Sequence, residues 1–178
     1  YPKEEDKYVL LSLHLNSGNF TESQIEEIKK KATYIFANKK DMIEHNWEKL
    51  REEHSESNPV ARIQTQTTSK GITYRGRAKC LTKQSDIDAV LNICRGARVQ
   101  ITGKNFEPDW GLFNGAVGNV VEIVYEEGAS PLDGSCPEYV IVDIPTYRGP
   151  SWIPNKPTWV PIPPIEVKCQ NHCCTFKY

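Results

Sequence analysis

Three groups of residues in this chain carry side chains able to bind a ligand or do chemistry. In the first, Lys70, Arg75, Arg77 and Lys79 surround Tyr74. Cations at that density can track a phosphate backbone while a ring stacks on a base, and the same residues suit a solvated connector equally well. The second group comprises Arg98, Lys104, Asn105 and Trp110, with Trp152 and Trp159 downstream. A loop tryptophan beside polar and cationic neighbours, as Trp110 is, suits base stacking worth about 1–3 kcal/mol, whereas Trp159 lies in a strand-like run and suits a core. The third is the run Cys169, His172, Cys173 and Cys174. Tetrahedral zinc needs four well-spread ligands, adjacent cysteines rarely both reach one ion, and no upstream Cys-x-x-Cys pair completes a site, so the expectation is no metal here.

Asn38 follows the short apolar run Tyr34–Ala37. At the end of a buried strand its amide would face the edge where open α/β sheets meet ligands, and otherwise it caps the next helix. Gly71–Ala78 has the spacing of a phosphate-binding loop, but Arg77 and Ala78 stand where that motif needs lysine and a hydroxyl. It reads as a loop without that chemistry. No arrangement of nucleophile, base and orienting group stands out. The four histidines are scattered, and acidic residues such as Glu26 pair with Lys30 at helical spacing.

The elements that must position these residues follow from composition and period. With 178 residues, 38% hydrophobic and 25% charged, the chain has room for one domain or two small ones. No apolar run is long enough to span a membrane, so no membrane partner is expected. The net charge of −1 supplies no global field for nucleic acid, leaving that work to local patches. Of six cysteines, Cys80, Cys94 and Cys136 lie far apart and the rest crowd the C-terminus, which reads as reduced thiols of an intracellular protein. The initial tyrosine hints at a partial chain.

Thr21-Glu22-Ser23-Gln24 is a capping box, and Ile25, Ile28 and Ala32 follow at helical spacing, which predicts a helix over Glu22–Lys31. Tyr34–Ala37 predicts a buried strand. Ile43, Trp47 and Leu50 then predict an amphipathic helix, capped by Asp41 with Glu44 and stopped at Asn58-Pro59. Residues 60–93 read as a polar connector with one strand at Ala61–Gln66. From Ala97 the period becomes two, and Val117–Tyr125, Tyr139–Ile144 and Trp159–Ile162 predict further strands. Prolines between Pro145 and Pro164 should border strands rather than fill them. The expected fold class is α+β: an α/β layer followed by a small barrel.

The segment Gly96–Asn105, followed by Trp110–Tyr125, resembles a signature of PIF-type, RecD-like DNA helicases: a strand opening Gly-Ala-x-Val, then a Gly-Leu-x-Asn-Gly turn, a further glycine and a valine-rich strand. Gly96, Ala97, Val99, Gly111, Leu112, Asn114, Gly115, Gly118 and Val120 supply it in order. Asn114-Gly115 is a strong turn pair because both residues tolerate positive φ, and Gly118 permits close approach. Glu138–Pro145 and Trp159–Ile165 are similar to the remainder of that barrel. Tyr34–Leu50 resembles the strand and helix that carry a Thr-Asn pair and a later Asn. Asn38 and Asn46 take the asparagine places, and Ala37 stands where the hydroxyl residue usually is.

The resemblance implies a partial second RecA-like motor domain (1–59), the connector (60–93), an inserted Src-homology-like barrel (94–168) and a return segment (169–178). It implies that the intact parent is a monomeric helicase unwinding DNA from five-prime to three-prime with ATP and Mg, acting in DNA repair, recombination or telomere maintenance in the nucleus or an organelle. Its partners would be single-stranded DNA and the remainder of the motor. Asn38, Arg75, Arg77, Arg98, Lys104, Asn105 and Trp110 would contact the DNA, Asn38 by donating to a phosphate. Walker motifs would lie upstream and the Gln-Gly and Arg motifs downstream, so this chain has no catalytic residues or cofactor of its own. Two readings compete: a non-enzymatic barrel that binds a protein through its Pro- and Trp-rich edge, and a zinc-dependent nucleic-acid-binding fragment.

Overall fold

A helix end or a strand edge leaves backbone groups without partners, and where those groups find partners decides which elements form. The computed structural model describes residues 20–32, 34–69, 72–75, 90–102, 107–132, 134–168 and 175–177. They form a mixed α+β structure with antiparallel sheets, and the chain divides into two compact units, Tyr1–Glu48 and Lys49–Tyr178.

In the first unit, helix α1 (Glu22–Lys31) begins at the capping box. The Thr21 amide donates to Gln24 Oε1 at 2.9 Å, and the Gln24 amide returns a longer bond of 3.4 Å to Thr21 Oγ1. Helix α2 (Lys39–Glu53) is capped by Asn38 rather than by Asp41: Asn38 Oδ1 accepts from the Asp41 amide at 2.9 Å. This satisfies an amide that the first helical turn leaves without an internal partner. The strand expected at Tyr34–Ala37 does not form. Tyr34 and Phe36 instead lie against the His45 ring, with centroids 4.5 and 5.1 Å away, while Ile35 between them is 93% exposed. A strand needs a neighbour to receive its backbone hydrogen bonds, and the described residues of this unit contain no other strand.

The second unit opens with the last turn of α2, which ends at Glu53, ahead of the Asn58-Pro59 stop. The segment that reads as a connector then supplies β1 (Ala61–Gln64), β2 (Gln66–Ser69), β3 (Ile72–Arg75) and β4 (Val90–Ile93). Strand β1 pairs antiparallel with β4, setting Ala61 opposite Ile93. Ile72–Arg75 is therefore a strand, where a loop was expected from the Gly71–Ala78 spacing. β9 (Glu166–Lys168) and β10 (Thr175–Lys177) complete a second sheet in the order β3-β2-β10-β9. The expected return segment thus contributes β10, which lies between β2 and β9.

The third sheet is the meander β5 (Arg98–Gln100), β6 (Val117–Val124), β7 (Tyr139–Asp143) and β8 (Trp159–Ile162), paired in that order. A bulge between Val120 and Glu122 shifts the register of β6 against β7. Pro161 sits inside β8 opposite Ile141, contrary to the expectation that prolines only border strands. β8 is an edge strand, where a residue lacking an N–H forfeits no ladder bond on the solvent side.

Leu112, Ala116, Val142, Ile144, Tyr147 and Val160 form one buried cluster. Ala61, Ile63 and Ile93 form another, and Cys94, Ala97 and Val120 a third. Val99 and Val140 pack against all three, so β1 and β4 share a continuous core with the meander. Asn58 fastens the end of α2 to this body. Its Nδ2 donates to the carbonyls of Glu53 and Arg95 at 2.8 and 3.0 Å, and its Oδ1 accepts from the Arg95 amide at 3.1 Å. No helix among the described residues is long and apolar enough to cross a membrane.

Candidate nucleic-acid interface

Strand direction brings two long loops to the same end of the meander. β5 ends at Gln100, paired with Val117 at the start of β6, and β7 ends at Asp143, paired with Asn119. The β5–β6 connection and the β7–β8 connection both leave from there.

The first loop carries a short 3-10 turn at Pro108–Trp110, closed by Gly111 at φ +82° and ψ +10°. The Gly111 amide donates to the Pro108 carbonyl at 2.9 Å. A Cβ on Gly111 would lie 1.9 Å from the Thr146 carbonyl oxygen, so the two loops touch backbone to backbone. The Arg148 amide donates to the Trp110 carbonyl at 2.8 Å, and Thr146 Oγ1 donates to the Gly111 carbonyl at 3.1 Å. Only glycine fits such an approach at positive φ.

The second loop folds on Tyr147. This ring is buried, its hydroxyl donates to the Pro150 carbonyl at 2.9 Å, and the same oxygen accepts from Trp152 Nε1 at 2.7 Å. Trp152 is 56% exposed, so its indole N–H is engaged while much of the ring meets solvent. Phe113 is 44% exposed and Trp110 37%. Three solvent-facing aromatic rings thus stand on loops tied down by hydrogen bonds and by the buried Leu112, Ala116 and Tyr147. Arg148 is exposed on the second loop, and Glu107 and Asp109 are exposed on the first. Exposed rings on loops that also carry a cation can stack flat π-systems, and the acidic residues of the first loop limit how much phosphate such loops attract.

The turn itself differs in detail from the sequence expectation. The Ala116 amide donates to the Phe113 carbonyl at 2.9 Å, which centres the turn on Asn114 and Gly115. Gly115 takes φ +102°, and Asn114 does not take positive φ. Positive φ at only the second central residue describes a type II turn rather than the two-residue hairpin turn. Gly118 has an ordinary φ, but a Cβ there would lie 2.5 Å from the Asp143 carbonyl oxygen and 2.7 Å from Val142 Cγ1, in keeping with its reading as a point of close approach.

The other sequence candidates fall in separate places. Arg98 is exposed on β5, and Arg75 is exposed on β3 next to the exposed Tyr74, in a different sheet. Asn38 belongs to the first unit, where its Nδ2 also donates to Asp41 Oδ2 at 2.6 Å. Lys104, Asn105, Arg77, Lys70, Lys79 and the Cys169–Cys174 cluster lie outside the described residues. Trp159 is half-buried in β8 with Lys156 Nζ 4.6 Å from its ring centroid. Sequence reasoning passed over Phe113, Tyr147 and Arg148. Phe113 occupies the variable place of the Gly-Leu-x-Asn-Gly turn, so an aromatic there was the one available signal, whereas nothing local marks Arg148 as a neighbour of Trp110. No protein-family model matches the chain, and a search of curated proteins finds none significantly similar to it.

Proposed function

We propose that this chain is a piece of a PIF-type DNA helicase in which the meander and its loops form a Src-homology-like barrel that grips single-stranded DNA. The observation that carries the reading is the loop pair at one end of the meander. There the glycines of the helicase-like signature permit backbone contact, Trp110, Phe113 and Trp152 are exposed, and the Arg148 amide bonds to the Trp110 carbonyl. Bases of any identity have a face to stack, so such a surface suits strand engagement without sequence preference. Tyr34–Glu53 would belong to a partial RecA-like layer completed by the remainder of the motor, which would bring the ATP and Mg sites. The intact protein would work in the nucleus or an organelle.

Fluorescence anisotropy of the full chain with a labelled single-stranded oligonucleotide tests this. Affinity should fall as salt rises, because phosphate contacts release counterions, and Trp110→Ala should weaken binding by roughly one order of magnitude. Absence of binding at low salt, together with capture of a proline-rich peptide in a salt-independent manner, would favour the protein-binding barrel instead.

A further inference from the structure

Asn114–Gly115 is the only Asn-Gly pair in the chain. Asparagine before glycine is the pair most open to internal attack, since glycine offers no side chain to obstruct the approach and leaves the main chain free to rotate. The Gly115 amide nitrogen gives its proton to solvent base and bonds to Asn114 Cγ, and the side-chain nitrogen departs as ammonia. Water then opens the resulting cyclic imide at either carbonyl. The products are aspartate and isoaspartate, the latter with its main chain routed through the side-chain carbon.

The folded turn exposes one reactant and restrains the other. Asn114 is exposed. The Gly115 amide, however, donates to the Ile101 carbonyl at 2.9 Å, and the next amide, Ala116, donates to Phe113 at 2.9 Å. Ala116 and Leu112, both buried in the meander's core, anchor the turn on either side. A proton held in a hydrogen bond is harder to remove, and swinging the Gly115 nitrogen towards Asn114 Cγ requires that bond to break.

We propose that Asn114–Gly115 is a fold-gated modification site, unreactive while the Phe113–Ala116 turn is closed and converted to aspartate and isoaspartate when it opens. The change is irreversible. Isoaspartate lengthens the main chain within the turn and places a carboxylate next to Phe113, so the Gly115 amide cannot return to Ile101 in the same geometry.

The test incubates the full chain at mildly alkaline pH, folded and in urea, and follows conversion at Asn114 by peptide mass spectrometry. Hydrogen exchange of the Gly115 amide is measured in the folded state alongside. Conversion should be at least about tenfold slower in the folded chain, since two hydrogen bonds must open first. The Gly115 amide should be protected from exchange by a similar factor. Equal conversion in the two states overturns the proposal, and so does slow conversion with an unprotected Gly115 amide, because the restraint would then lie elsewhere.

Discussion

Replacing Gly111 with alanine adds a single methyl group, and the contact between the two loops sets what that methyl costs. At φ +82° an alanine carries roughly 1–2 kcal/mol of left-handed strain. The new Cβ would also stand 1.9 Å from the Thr146 carbonyl oxygen, and moving it out to 3.0 Å forces the loops apart. That movement loosens the bonds from the Arg148 amide to Trp110 and from Thr146 Oγ1 to Gly111, each worth about 0.5–1.5 kcal/mol net. Gly111→Ala should therefore cost roughly 2–5 kcal/mol in all. Gly128 is the control: its φ is +86°, and a Cβ there meets nothing within 4 Å, so Gly128→Ala should cost only the strain of roughly 1–2 kcal/mol. Urea unfolding of both variants measures the difference, read as a shift of the midpoint at unchanged slope. If Gly111→Ala costs no more than Gly128→Ala, the two loops do not meet backbone to backbone, and the case for rigidly held aromatics falls with it.

Gly115→Val should destabilise by more than about 1 kcal/mol in the same assay, from positive φ alone, because the nearest atom to its Cβ is Gln100 Nε2 at 3.6 Å. Asn58→Ala should cost about 1–3 kcal/mol, since it strips partners from the Glu53 and Arg95 carbonyls and the Arg95 amide; a midpoint within experimental error of the parent would refute the clamp. Burial, and secondarily the Glu53 carboxylate, push the Cys94 thiol up from its ordinary range, and Cys94 is 0% exposed. The unfolded thiol then loses its proton first, so its contribution to stability is full below the ordinary thiol range and is lost as pH rises towards the higher folded value. Alkylation of Cys94 at mildly alkaline pH should be much slower in the folded chain than in urea, as peptide mapping would show. Finally, the chain alone should neither bind nor hydrolyse ATP, which DNA-stimulated phosphate release from a clean preparation would disprove.

What the sequence by itself determined is what depends on neighbours along the chain. The capping box at Thr21–Gln24, the bounds of the first helix, strands β6 to β8 and the positive φ of Gly115 all follow from residue type and period within a few positions. The turn pair and the close approach at Gly118 were legible for the same reason, as was Trp110 as a loop aromatic. Tertiary structure decided everything that required a distant partner. Tyr34–Ala37 has the composition of a strand, but the described residues of its unit offer no strand to pair with it, and its rings at Tyr34 and Phe36 lie against His45. The polar stretch from 61 to 93 was legible as one strand at Ala61–Gln66, yet its described residues hold β1 to β4, because Ile93 is recognisable as core only once Ala61, Ile63, Val99 and Val140 are placed around it. Pro161 is tolerated only because β8 has an open edge. The candidate interface is the strongest case: Arg148 and Tyr147 lie far along the chain from Trp110, and only the antiparallel order of β5 to β8 brings their loops to one end of the sheet. Hydrogen bonds between loops depend on separation in space, and a local pattern of residue types holds no record of it.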